Sequence, residues 1–171
     1  MIGRFNPPHM GHLEALSYIL SAPDVSKVLL VIGSAQECFK LSNPFTAGER
    51  FEMLEAAVSE SGVAGEAEYD IVPLPDINLY GQWAAYLKSM LPEFAFLYSN
   101  NPLVRLLIHH LSTVEWRPIP LKNRSQWSST EVRRRIIEGE PWEELVPSAV
   151  GKLVHTYGGV QRLRELSSSD K

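Results

Sequence analysis

Lys27-Val28-Leu29-Leu30-Val31-Ile32 is the stretch that decides the architecture. Its five consecutive aliphatic residues leave no polar face, so a strand built from them must be covered on both sides, as in a parallel sheet. Comparable runs follow at Tyr69 to Leu74, Phe94 to Tyr98 and Val114 to Ile119. Apolar residues at helical spacing fill the intervals, from Gly11 to Leu20, Ala47 to Ser59, Gln82 to Leu91, Leu103 to Leu111 and Thr130 to Glu138. Strand and helix in alternation predict an α/β fold with a doubly wound parallel sheet and right-handed crossovers. Met1 to Phe5 is a short first strand, set against the ~5–6 residues of a typical one.

Punctuation sharpens two of the helices. Thr46 with Glu49, and Ser128 with Glu131, have the spacing of a capping box, in which a hydroxyl and a carboxylate satisfy free backbone N–H groups. Gly139 closes the second of these helices. From Pro141 the chain turns to short helices, one at Pro141 to Leu145 and one from Pro147 to Tyr157. They are broken by Gly158-Gly159 and end in a polar tail, Ser167 to Lys171, expected to fray. Residues 1–171 are read as one domain, with 141–171 as its C-terminal helical extension.

Bulk properties exclude several classes. The 171 residues, 44% hydrophobic, suffice for one core. A net charge of -4 with 21% charged residues calls for neither nucleic acid nor an anionic membrane. Any anionic ligand must therefore be met by local cations. A lone cysteine, Cys38, excludes an internal disulfide and argues against a thiolate zinc site. No apolar run approaches the ~20 residues that span a bilayer, and the N-terminus lacks the regions of a signal peptide, so a cytoplasmic protein is expected.

Two segments carry chemistry. Gly3-Arg4-Phe5-Asn6-Pro7-Pro8-His9-Met10-Gly11-His12 runs from the first strand into the first helix. Its two imidazoles lie three residues apart at a helix start, where free N–H groups and the helix dipole favour an anion such as phosphate. Gly11 leaves room for a ligand beside the backbone. Two incidental histidines are the alternative; a zinc reading lacks a third ligand. The second segment is Trp127-Ser128-Ser129-Thr130-Glu131-Val132-Arg133-Arg134-Arg135. Ser129 and Arg133 are four apart, so a guanidinium shares a face with the hydroxyls of the helix start. Arg134 and Arg135 must point elsewhere. A capped surface helix is the plainer reading.

Taken together, HxGH and SSTxxR resemble the nucleotidylyltransferases. Gly33 to Glu37, Asn43 to Arg50, Pro75 to Asn78, Asn101 to Arg105 and Thr130 to Arg135 are similar to the archaeal type of nicotinamide-nucleotide adenylyltransferase. The resemblance spans nearly the whole chain. It implies a Rossmann-like fold and transfer of an adenylyl group from ATP to nicotinamide mononucleotide, with nicotinate mononucleotide as the related acceptor. Arg4, His9, His12 and Arg133 would be the catalytic residues. Gly3, Phe5, Gly11, Ser99, Asn100, Pro102, Arg105, Ser129 and Thr130 would complete the ATP site. Asp76, Ile77, Asn78 and Trp83 would form the acceptor pocket, with Trp83 stacking on the nicotinamide ring. The same resemblance implies Mg2+ carried on ATP oxygens rather than on a protein metal site, and a homo-oligomer, a hexamer in form. Asn6 and Pro8 stand where the family has glutamine and phenylalanine, positions a loop tolerates. Asn100 replaces a frequent glycine, which bears on how closely the backbone approaches the nucleotide.

Other acceptors on the same fold, phosphopantetheine, a flavin nucleotide or an alcohol phosphate, are the nearest rivals, and a non-catalytic nucleotide sensor is the rival of another class. Trp83 also reads as a core aromatic, and Asn101-Pro102 as an ordinary helix entry. His109, His110 and His155 are given no role, and Cys38 none as a nucleophile.

Overall fold

The computed structural model describes residues 1–109, 113–120 and 127–169. The strands are β1 (Ile2–Gly3), β2 (Lys27–Ile32), β3 (Glu68–Pro73), β4 (Phe96–Tyr98) and β5 (Glu115–Arg117). Between them lie the helices α1 (Met10–Leu20), α2 (Ala47–Ser61), α3 (Tyr80–Met90) and α4 (Pro102–Ile108). After β5 come α5 (Ser129–Glu138), a 3₁₀ turn at Glu143–Leu145, α6 (Ser148–Thr156) and α7 (Gly159–Ser169).

Every strand pair is parallel, in two hydrogen-bonded groups, β1-β2-β3 and β4-β5. β2 is covered on both faces because its side chains alternate between two clusters. Val28, Leu30 and Ile32 pack with Ala15, Leu16 and Ile19 of α1 and Leu54 and Val58 of α2. Val31 points the other way, toward Trp83 and Leu87 of α3 and Val104 and Ile108 of α4. Tyr98 and Leu97 split in the same manner, so the two groups of strands share both cores. A cavity of about 390 Å³, lined by Ile2, Val28, Val31, Leu87, Phe96 and Leu97 among others, lies between them.

The C-terminal helices build a third cluster. Val132, Ile136, Trp142, Leu145, Val150, Val154 and Leu163 pack against Met53 and Ala57 of α2, Leu13 of α1, and Phe45. Here the structure departs from the frayed tail expected from sequence. α7 is regular through Ser169, with Leu163 completely buried. Arg162 anchors it by donating to both carboxylate oxygens of Glu49, at 2.7 and 2.8 Å, and to the carbonyl of Pro44. Leu111, the expected end of α4, and the last two residues of the tail lie outside the described residues.

The Thr46–Glu49 capping box forms with both of its hydrogen bonds. Only half of the second box forms. Ser128 Oγ accepts from Glu131 N at 3.1 Å, but the Glu131 carboxylate is taken by Arg134 and Arg135. Gly159 sits where α7 crosses Phe45: a Cβ there would lie 2.6 Å from the ring and 2.9 Å from Val154 O. Gly159→Ala is expected to lose roughly 1–3 kcal/mol by overpacking, more than the about 1 kcal/mol alanine gains in a helix. Denaturant unfolding measures the balance, and a stabilised variant would contradict the crossing.

Candidate active site

The turn from β1 to α1 is gripped by main-chain oxygens. Arg133 Nη1 donates to Asn6 O at 2.8 Å, and Ser129 Oγ donates to Pro7 O at 2.9 Å. The start of α5 is thereby bolted to the start of α1. Gly11 allows the approach, since a Cβ there would stand 3.0 Å from Trp127 O and 3.1 Å from the His9 ring. Arg134 and Arg135 turn away as helical rotation requires, into ion pairs with Glu131, Glu138, Glu140 and Glu144. Glu131 is held down to about 2 by Arg134 and then Arg135.

The two imidazoles stack with ring centroids 3.7 Å apart, and the Phe5 ring lies 4.6 Å from His12. His9 N donates to His12 Nδ1 at 3.1 Å, which places the His12 proton on Nε2, free to donate to a ligand. His9 Nδ1 is buried and has no hydrogen-bond partner among the described residues. Burial, then the Arg133 charge, pushes His9 down to about 4. Burial, then His9, holds His12 well below its usual value. Arg133 is pushed down to about 10 by burial and by Arg4. The cluster therefore brings together two neutral imidazoles, with the His12 N–H on Nε2, and two guanidiniums near the N-termini of α1 and α5. That arrangement suits a polyphosphate.

Other expected residues are placed less simply. Phe5 is a core side chain, 1% exposed, so its ring supports His12 rather than forming a ligand surface. The Ser129 hydroxyl is engaged at Pro7 O, and the Thr130 hydroxyl accepts from Arg133 Nη2 at 3.4 Å. Ser99 is buried and caps the Asn101 N–H. Asn101 N-caps α4 with Pro102 at its first position, an ordinary helix entry in its own right. Arg105 lies over the Trp116 ring at 4.8 Å. Asn100 pairs with both main-chain groups of Ile119, at 2.6 and 2.9 Å, tying the end of β4 to the segment after β5. Asp76 and Asn78 are exposed and Ile77 half-buried. Trp83 is only 8% exposed and belongs to the core beside Leu74 and Leu87. Its reading as a core aromatic thus has direct structural support. His155 lies against Trp142 and Glu143, and His110 is outside the described residues.

Sequence reasoning missed Asn6. Rather than tolerating change in a loop, it is completely buried; its Nδ2 donates to Asn43 Oδ1, and its Oδ1 accepts from Phe45 N at 3.1 Å. Also without an assigned role were Ser34 and Gln36, which hold Asp76 by its carboxylate and its N–H.

A chain with this fold and this cluster of imidazoles and guanidiniums is of the nucleotidyltransferase class, and comparison with known proteins agrees. The cytidylyltransferase-like family matches residues 1–135. The nicotinamide-nucleotide adenylyltransferase of Pyrococcus furiosus is 42% identical over 170 residues, covering 98% of this chain and 88% of that protein. The enzyme of the same name from Thermoplasma acidophilum is 40% identical over 171 residues, covering 100% and 92%. Among solved structures, a bifunctional NMN adenylyltransferase/ADP ribose pyrophosphatase from Francisella tularensis, complexed with AMP and a manganese ion, superposes with a TM-score of 0.75 at 20% identity. The match covers 99% of this chain and about half, 51%, of that one, and shows a common fold. The chain belongs to the cytidylyltransferase-like family, and within it to the nicotinamide-nucleotide adenylyltransferases.

In the unfolded chain a histidine titrates near 6.5, and His9 in the folded protein near 4. Between these values the unfolded state binds more protons, so stability rises with pH through the window and falls on acidification. From pH 7 to pH 5 the native protein is expected to lose on the order of 2 kcal/mol more than His9→Gln does. Denaturant unfolding at both pH values checks this, and equal losses would mean that His9 is not buried in neutral form.

Proposed function

We propose that this chain transfers the adenylyl group of ATP to the 5′-phosphate of nicotinamide mononucleotide, giving NAD and pyrophosphate. The observation that carries the reading is the convergence of Arg4, His9, His12 and Arg133 at two facing helix N-termini, in a chain 42% identical to an enzyme of that name.

An acceptor phosphate is anionic at pH 7 and needs no base to attack. One of its oxygens bonds to the α-phosphorus while the bond from that phosphorus to the bridging oxygen breaks, and pyrophosphate leaves with the electron pair. The protein has only to align two polyanions and offset the charge that builds. His12 Nε2–H is the donor for the α-phosphate, and Arg133 and Arg4 act on the β- and γ-phosphates. Ser129 and Thr130 hold the helix start that presents them. Ser99, Asn100, Pro102 and Arg105 are assigned to the adenosine end, and Asp76, Ile77, Asn78 and Trp83 to the acceptor. Magnesium enters as part of the substrate, Mg–ATP. Among the described residues no group of three His, Cys, Asp or Glu side chains is placed to hold a metal ion. No described helix is long and apolar enough to cross a membrane; a cytoplasmic location belongs to the proposal. A homo-oligomer, hexameric by the family resemblance, belongs to the same proposal and is read by light scattering.

The deciding assay is pyrophosphate release from the purified protein with ATP and a panel of nicotinamide, nicotinate, flavin, pantetheine and alcohol phosphates. Response only to the last three would defeat the acceptor assignment. His12→Ala is expected to lower kcat roughly 100-fold while ATP affinity changes far less, because charge builds only as the bond breaks. An unchanged kcat would remove His12 from the mechanism.

Trp83→Ala separates a stacking role from a core role. Loss of a stacking platform worth about 1–3 kcal/mol raises the KM for the mononucleotide about 5-fold to 150-fold and leaves the KM for ATP alone. Loss of a core aromatic costs ~3–5 kcal/mol of stability, and both substrates suffer together. The melting temperature and both KM values on one preparation decide between them.

A further inference from the structure

Four chain segments meet at the carboxyl ends of β1 and β2, and one side chain touches them all. Arg50, on α2, is completely buried. Its Nε donates to Thr46 O at 3.2 Å. Nη1 donates to Arg4 O at 3.1 Å and Gly33 O at 2.9 Å. Nη2 donates to Ser34 O at 3.0 Å and Glu37 O at 3.2 Å. A guanidinium has five N–H groups, and here the five donors meet five main-chain carbonyls. No carboxylate is hydrogen-bonded to it among the described residues. The Glu37 and Asp76 carboxylates act on this buried cation only through space; every hydrogen bond it makes goes to a carbonyl oxygen, so its place in the core is tied to holding that backbone.

What they hold is the substrate-facing backbone. Phe5, which follows Arg4, and Ser34 both have a left-handed φ, 49° and 51°. Non-glycine residues keep such a conformation only where their surroundings over-determine it, and Arg50 grips the carbonyl next to one and that of the other. Each gripped segment then presents a group to a substrate. Arg4 projects the exposed cation of the phosphate cluster. Ser34 Oγ donates to Asp76 Oδ2 at 2.5 Å, and Gln36 Oε1 accepts from Asp76 N at 2.9 Å. The Pro75 to Asn78 loop therefore hangs on the backbone that Arg50 fixes.

We propose that Arg50 is a positioning residue that touches neither substrate and sets the distance between Arg4 at the ATP phosphates and the acceptor loop at Asp76. This deepens the adenylyl transfer proposed above and rests on it. An in-line displacement tolerates little error, and a misplacement of about 1 Å costs on the order of 100-fold.

Arg50→Lys keeps the charge but offers three donors in place of five. Assayed below its melting temperature and scaled to the folded fraction by circular dichroism, it is expected to lose about 10-fold or more in kcat and to raise the KM for both ATP and nicotinamide mononucleotide. Gln36→Ala, which cuts one of the two tethers to Asp76 and leaves Arg50 intact, should raise only the mononucleotide KM, about 3-fold to 10-fold, with an unchanged melting temperature. In the double variant the second change should add less than about twofold, because the loop is already loose. A lower melting temperature with wild-type kcat and KM per folded molecule, or effects that simply multiply, would overturn the proposal. If Arg50→Lys does not fold, Gln36→Ala decides alone, and a wild-type mononucleotide KM rejects the tether. A wild-type protein inert toward ATP and the mononucleotide refutes the proposed reaction instead. Dissociation constants of the same two compounds by calorimetry then replace KM in the same comparisons.

Discussion

A positive charge taken out of water has to be answered by oxygen atoms. In this chain one turn supplies oxygen atoms to two such charges. Arg133, 8% exposed, is answered by Asn6 O, and Arg50, fully buried, partly by Arg4 O. With Ser129 on Pro7 O, the segment between β1 and α1 is held at three carbonyls by two helices far apart in sequence. The Asn6 side chain completes the grip by pairing with Asn43 and Phe45 N. Phe5 can then persist at a φ of 49°, a conformation costing of order 1–3 kcal/mol. The positions of His9 and His12, in the first turn that follows, depend on this anchorage.

Electrostatics follow from the same crowding. Arg4 and Arg133 repel each other, and the His rings beside them stay neutral. The cluster is therefore a place of concentrated positive potential, built from guanidiniums and helix ends rather than from imidazolium ions. A polyanion relieves that repulsion on arrival. Neutral histidines add directed N–H groups without adding to the repulsion, and His12 has its tautomer set by the His9 main chain.

The parts legible in the sequence are those fixed by local geometry. β2 matches its aliphatic run residue for residue, and α1, α2 and α5 lie within two residues of their expected limits, because caps and unbroken periodicity mark them. α7 escaped because Gly158-Gly159 reads as a break and three serines as a tail; its stability comes from Leu163 and the Arg162–Glu49 pair, both tertiary. In the site, His9, His12 and Arg133 were readable from spacing, whereas the assignments to ATP and acceptor came from family resemblance. Asn6 and Arg50 were hidden because their partners lie far along the chain or on its carbonyls. Arg50 did leave a trace: with Met53, Leu54, Ala57 and Val58 it occupies the apolar stripe of α2, where a cation has no reason to be unless something buried receives it.

All five oxygens that Arg50 holds are main-chain atoms. A carbonyl is present whatever side chain its residue carries, so the clamp makes no demand on the chemistry of residues 4, 33, 34, 37 and 46. Drift can rewrite the surface around the two substrate subsites, retuning acceptor or nucleotide contacts, without disturbing the frame beneath. The burden of specifying the clamp is then very uneven: one codon on α2 carries it, and Arg4, Ser34 and Thr46 answer for their side chains to other tasks, the proposed phosphate contact, the hold on Asp76 and the cap of α2.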